Sequence, residues 1–221
     1  RIARKRVETG KTNKQNTIGA GRLKALLGRS THYKHELDLQ PMVGCAVGLA
    51  WTPVGGDVLS IQVRTMPGKF KLTLTGRLGD VMKESAQASF SYIRSLAHEL
   101  DIPQAMIDDR EIHIHIPEGA VPKDGPSAGV TLATALLSAL TGKKVRGDLA
   151  MTGEIGLQGE VLPVGGINEK VMAAQRSGVT TILLPERNRP DWDDRPKGVG
   201  KGLEVHFVSK IDDVWERAFA E

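Results

Sequence analysis

The chain has 221 residues, 40% apolar and 25% charged, which is enough to bury a core in one large domain or a domain with a small appendage. Its longest apolar stretches run to about ten residues, too short for a transmembrane helix, and its first residues show neither the apolar core nor the cleavage pattern of a signal peptide. The net charge of +4 is unevenly spread: Arg1 to His35 holds ten Lys/Arg and one acidic residue (Glu8), whereas the remainder holds twenty Lys/Arg and twenty-five Asp/Glu.

The basic segment from Arg1 to about Gln40 reads as a separate piece. Within it, KTNKQNTIGAGRLKALLG has Thr17 as a helix start, Leu23, Leu26 and Leu27 at helical spacing, and Gly28 as a stop. So short a helix cannot bury its apolar face alone and should dock on something. Its charge reads either as a solvated end or as a nucleic-acid contact. Tyr33 is its only aromatic residue, so no base-stacking surface is indicated. The chain begins inside this helical pattern without a methionine, which predicts a piece of a longer protein.

From Met42 the pattern turns to strands. VGCAVGLAW, VLSIQVRTM and KFKLTLTG alternate or run apolar, with VGGD and PG marking the turns. Cys45 is expected as a small core residue, and a lone cysteine excludes an internal disulfide framework and fits a reducing compartment. LGDVMKESAQASFSYIRSLAHEL follows as a long amphipathic helix, with Val81, Ala88, Tyr92, Ala97 and Leu100 on its inward face. EIHIHIP is a strand with isoleucines on one face and Glu111, His113 and His115 on the other. The loop PEGAVPKDGP leads into an apolar helix from Ser127 to Leu140, stopped by Gly142. DLAMTGEIGLQGEVLPVGG predicts a hairpin with glycine-rich turns. INEKVMAAQRSG is a short helix ending at Gly178, TTILLP and LEVHFV are strands, and IDDVWERAFA is a terminal helix. This mixed order of strands and helices indicates an α/β (α+β mixed) domain.

Two of these pieces invite chemistry. Ser127 lies behind Gly125 and Pro126, which together can hold it rigidly at a helix N-terminus. Unpaired N–H groups and the positive dipole end there favour a developing oxyanion. The same position also suits plain N-capping, so the serine reads as a cap or as a nucleophile. A nucleophilic serine needs a base, and no GxSxG elbow surrounds it. A Ser-His-Asp triad stays open, though nothing marks one. A Ser-Lys pair needs a lysine dry enough to lose its proton near neutral pH. Lys170 meets that requirement, since it shares the apolar stripe Ile167, Val171, Ala174 of its helix, where it is either snorkelling or dry. HIH with Glu118 nearby lacks further ligands at zinc-like spacing, so no metal is expected, and no phosphate-binding loop is present.

PEGAVPKDGPSAGVTLATALLSALTG, MTGEIGLQGEVLPVGGINEKVMAA and GLAWTPVGGDVL closely resemble, in order and spacing, the proteolytic domain of Lon, the ATP-dependent serine protease. The resemblance runs from about Met42 to Ala220. Residues 1–40 are more loosely similar to the end of the helical subdomain that closes Lon's ATPase module. By this resemblance Ser127 falls on the family's nucleophile and Lys170 on its general base. Thr152 matches a threonine placed to hydrogen-bond that lysine. Asp124 matches an aspartate that can sit near the lysine or move away. His115 matches a supporting histidine, and Trp51 is similar to a residue near the substrate groove. Asn168 departs from the family's usual lysine, off the catalytic face.

The resemblance implies a serine endopeptidase acting on unfolded or damaged proteins, assembled as a six-membered ring in the bacterial cytoplasm, ahead of the mitochondrial matrix. No cofactor is expected in this chain, since ATP and magnesium would belong to a missing ATPase half. The rival from another class is a non-catalytic Lon-like module for oligomerisation or DNA binding, served by the basic segment.

Overall fold

The computed structural model describes residues 37–53, 55–117 and 123–220, together with Gly19, Arg22 and Leu26. The chain divides into two compact units, Arg1–Glu36 and Leu37–Glu221. In the first, the Arg22 N–H bonds the Gly19 carbonyl at 3.0 Å, and Arg22 and Leu26 are helical. The remainder of the helix expected over 17–28 lies outside the described residues, as does Glu118.

The second unit opens with β1 (Met42–Val43), β2 (Cys45–Thr52), β3 (Gly55–Pro67) and β4 (Lys71–Thr75). The helices α1 (Asp80–Ser95) and α2 (Ala105–Asp108) then lead to β5 (Arg110–His115). A 3-10 turn over Pro126–Ala128 runs into α3 (Gly129–Thr141). Four short strands follow: β6 (Lys144–Val145), β7 (Leu149–Met151), β8 (Glu154–Ile155) and β9 (Val161–Leu162). The chain closes with α4 (Ile167–Ser177), β10 (Thr181–Pro185), α5 (Arg189–Asp193), β11 (Glu204–Val208) and α6 (Ile211–Ala218).

Seven strands form one mixed sheet in the order β11-β10-β7-β2-β3-β5-β4. The β11-β10-β7-β2 side is parallel, and β3 pairs antiparallel with both β2 and β5. Alternation along the central strands sends side chains into two cores, one per face. Ala46, Leu59, Ile61 and Val63 join Ile112, Ile114 and the apolar residues of α1, α3 and α6 on one face. Val47, Leu49 and Val58 join Ile167, Val171 and Ala174 of α4 on the other. The helix α4 ends at Gly178, whose left-handed φ of 84° supplies the stop.

Three expectations change. The stretch DLAMTGEIGLQGEVLPVGG is not one hairpin: Leu149–Met151 is wholly buried and joins the sheet in parallel between β2 and β10, while β8 and β9 form the hairpin. A fully buried parallel strand carries a continuous apolar run, so periodicity could not separate it from the hairpin beside it. In α1 the buried residues are Met82, Ser85, Ala86, Ser89, Phe90, Tyr92 and Ile93; Tyr92 and, beyond the helix, Ala97 are buried as expected, whereas Val81 is exposed. The inward face is thus one residue out of phase with the expected one at the helix start. Cys45 is only half-buried, with its sulfur 3.6 Å from Ser60 Oγ.

Candidate active site

The turn that carries Ser127 is set by its backbone. Gly125 has φ 121° and ψ 156°, a conformation closed to residues with a Cβ, and Pro126 follows in the first position of the 3-10 turn. The capping position of α3 falls on Ala128, and neither this helix nor the 3-10 turn has a side-chain cap. The reading of Ser127 as a helix cap is therefore overturned. Three residues of 3-10 geometry displace the hydroxyl from the N-cap position, so capping does not consume it.

Its carbonyl, in contrast, is firmly held. Ser127 O accepts the Gly153 N–H at 3.0 Å and the Thr152 hydroxyl at 3.2 Å, and Gly153 O accepts the Val130 N–H at 3.1 Å. Thr152 is fully buried, and its own N–H bonds Leu183 O of β10 at 3.2 Å. The sheet thus positions the threonine, and the threonine registers the serine turn.

Lys170 projects from the first turn of α4 and is 1% exposed, a rare state for an ammonium. Its Nζ lies 3.0 Å from Thr152 Oγ1. The hydroxyl has one proton, which faces the carbonyls of Ser127 and Leu49 at 3.2 and 3.4 Å. The threonine oxygen therefore accepts from the amine, and the lone pair of a neutral lysine is left for another donor. Burial pushes the Lys170 pKa down from 10.5 to about 8, because the charged form loses its hydration. Burial is the whole of that shift.

Asp124 is exposed, and its carboxylate points to α1, where Oδ1 accepts the Met82 N–H at 3.0 Å and its neighbour's Gly125 N–H at 2.9 Å. It serves as the missing N-terminal cap of that helix. His115 is exposed on the outer sheet face, with Nδ1 2.7 Å from Thr75 Oγ1, a hydroxyl that also meets His113 Nε2 at 2.8 Å. Both histidines line a pocket of about 230 Å³ with Cys45 and Arg64. Among the described residues no hydrogen bond joins His115 to Ser127 or Lys170, and no three His, Cys, Asp or Glu side chains converge as metal ligands.

Trp51 is 55% exposed and lies over the turn that opens α4: a Cβ on Gly166 would meet its Cδ1 at 2.6 Å. Sequence reasoning missed how closely the β2-β3 hairpin backs this helix. A Cβ on Gly56 would fall 1.9 Å from Glu169 O and 2.9 Å from Lys170 N, and Arg176 Nη2 donates to Gly56 O at 3.0 Å. The glycine pair in PVGGD is the only local signal of that approach. Sequence reasoning also missed Asn188, a buried amide that bonds both backbone groups of Val164 just before α4.

Residues 17–221 match the family model described as the Lon protease (S16) C-terminal proteolytic domain. "Lon protease 2" of Desulfotalea psychrophila is 51% identical over 218 residues, covering 99% of this chain and 28% of that protein. "Lon protease" of Desulforamulus reducens is 60% identical over 179 residues, covering 81% of this chain and 22% of that protein. "Lon protease 1" of Bacillus subtilis is 51% identical over 205 residues, covering 93% and 26%. The chain therefore spans about a quarter of the length of these curated relatives. A family model that covers all but the first sixteen residues, and identities of half or more across most of the chain, place it in the Lon protease (S16) family, as a C-terminal proteolytic domain.

Proposed function

We propose that this domain is a serine endopeptidase in which Ser127 is the nucleophile and Lys170 the general base. The observation that carries the reading is a buried lysine with a pKa near 8, bonded to a threonine that also bonds the Ser127 carbonyl. Neutral Lys170 takes the Ser127 hydroxyl proton as Oγ forms a bond to the scissile carbonyl carbon. The C=O electron pair moves onto oxygen, and the N–H groups at the start of the Ser127 turn stabilise it. The tetrahedral centre collapses, the C–N bond breaks, and Lys170 returns its proton to the leaving amine. Water then attacks the ester with Lys170 again as base, which releases the acid and restores the serine.

The sign of the pH dependence follows. The active form is neutral lysine, which is about a tenth of the population at pH 7 when the pKa is about 8. The kcat/KM for a fluorogenic peptide should rise with pH and level off above an apparent pKa of about 8. Ser127→Ala should lower kcat by roughly 10³-fold or more. A flat profile from pH 6 to 9, or substantial activity in Ser127→Ala, overturns the assignment.

The wider setting is proposed on the same family basis. The substrates are unfolded or damaged proteins, the assembly is a homo-hexamer in the bacterial cytoplasm, and ATP with magnesium acts through the further sequence that the relatives carry. Among the described residues no helix is long and apolar enough to cross a membrane. A full-length protein that sediments as a hexamer, and degrades unfolded chains faster when ATP is added, is the corresponding expectation; a monomer indifferent to ATP contradicts it. The excess of nine positive charges over residues 1–35 supports a second role in binding DNA. Its test is a titration against duplex DNA at two salt concentrations, with and without residues 1–35. Salt-sensitive binding that disappears on deletion supports the role, and binding that survives deletion assigns it elsewhere.

A further inference from the structure

The loop that leads into α4, and so into Lys170, is gripped by a side chain from the turn after β10. Asn188 closes the 3-10 turn that follows β10 and is 3% exposed. Its Oδ1 accepts the Val164 N–H at 2.9 Å, and its Nδ2 donates to the Val164 carbonyl at 2.9 Å. The second N–H of the same amide donates to Asp191 Oδ2 at 2.6 Å. One side chain thus grips both backbone groups of one residue, as a neighbouring strand would. The carboxylate also fixes which way the amide faces, because a flipped amide would set oxygen against oxygen at Asp191 and donor against donor at Val164.

Val164 stands two residues before Gly166, whose carbonyl accepts the Lys170 N–H at 3.0 Å as the first bond of α4. The strand that leads into Asn188 is the one that holds Thr152, through Leu183 O. The two partners in the Lys170–Thr152 bond are therefore registered against the same strand, one directly and one through the Asn188 amide.

We propose that Asn188 is the positioning residue for Lys170: by clamping Val164 it sets where the first turn of α4 places the amine relative to Thr152 and Ser127. This rests on the Ser-Lys reading above. A residue that only supports the fold would change thermal stability and leave the ionisation of the lysine alone. A residue that positions the lysine sets its depth in the apolar site, and so its ionisation as well. Asn188→Ser can no longer span both groups of Val164. Asn188→Asp keeps the acceptor, loses both donors and opposes the Asp191 carboxylate. Asn188→Asp/Asp191→Asn restores a donor–acceptor pair between those two positions with the roles exchanged. Arg189→Ala, next door, loses an exposed pair with Glu186 and a contact over the Phe207 ring, and among the described residues Arg189 makes no hydrogen bond to the loop before α4.

The experiment measures kcat, KM and thermal melting across pH 6 to 10.5, in the full chain, with a fluorogenic peptide. Asn188→Ser and Asn188→Asp should lose about a hundredfold in kcat with KM little changed. Their acid limb should move from about 8 toward the 10.5 of a hydrated lysine. The double variant should recover part of both losses, and Arg189→Ala should leave the limb in place. Where Asn188→Asp does not fold, Asn188→Ser and the double variant carry the same comparison. A folded Asn188→Ser with wild-type kcat and an unmoved limb, while Lys170→Ala is inactive, overturns the positioning role and leaves the dyad standing. An active Lys170→Ala removes the dyad and this inference with it.

Discussion

Lys170→Met should abolish peptidase activity and raise the thermal stability of the protein at pH 7. The lysine is 1% exposed, with a pKa of about 8 against 10.5 when hydrated. Below pH 8 the folded protein must therefore either bury a charge or give up a proton that the unfolded chain keeps. That cost is about 3 kcal/mol from the size of the shift. The sign is set by proton binding: between pH 8 and 10.5 the unfolded chain binds more protons at this site, so wild-type stability rises with pH over that window. Methionine has nearly the same length and no charge, and its loss of the Thr152 bond offsets about 1 kcal/mol of the gain. A net gain of about 2 kcal/mol, or roughly 5 °C in Tm, is expected at pH 7. The advantage of the variant should shrink from pH 8 upward and reverse above pH 10.5, where the wild type, its lysine now neutral, keeps the Thr152 bond and is the more stable by about 1 kcal/mol. Melting curves at pH 7 and pH 10.5 test this. A Lys170→Met protein less stable than wild type at pH 7 would show that the buried amine stabilises the fold, contrary to its burial and lowered pKa.

Gly56→Ala should be nearly as damaging to activity, although Gly56 touches no reacting atom. An added Cβ would sit 1.9 Å from Glu169 O and 2.3 Å from its carbonyl carbon. These are backbone atoms of α4, not the tip of a flexible side chain, so the helix must move as a body or the β2-β3 hairpin must lift. Either shift is about 1 Å and displaces the Lys170 amine from Thr152. Displacement on that scale costs about 10²-fold in rate, and the overpacking costs about 1–3 kcal/mol of stability. The kinetic measurement is kcat at saturating peptide, with a melting curve taken in parallel. Wild-type kcat in a folded Gly56→Ala protein would show that the hairpin does not set the helix position.

These two residues show how unequally the site could be read from sequence. Lys170 was legible because it breaks the apolar stripe Ile167, Val171, Ala174, and helical period places it on the buried side whatever the helix packs against. Gly56 was not, since its glycine marks a turn equally well, and what it faces lies more than a hundred residues further along the chain. Ser127 stands between the two. Its glycine-proline setting announced a constrained turn, but whether the hydroxyl capped α3 depended on three residues of 3-10 geometry that composition does not specify.

The sequence by itself determined most strand and helix types, the apolar character of β2 and β3, the basic excess of residues 1–35 and the apolar face that carries Lys170. Each follows from local period or composition, which act over a few residues. Tertiary structure alone decided what the dry lysine meets. Thr152 comes from the end of a buried parallel strand, Gly56 from a hairpin on the same face as α4, and Asn188 from the turn after β10. These contacts depend on strand order and on which core each face joins, and the order β10-β7-β2-β3 is a property of the whole packed sheet. A one-dimensional pattern can place a residue on a face, whereas only the assembled layers determine what stands opposite it.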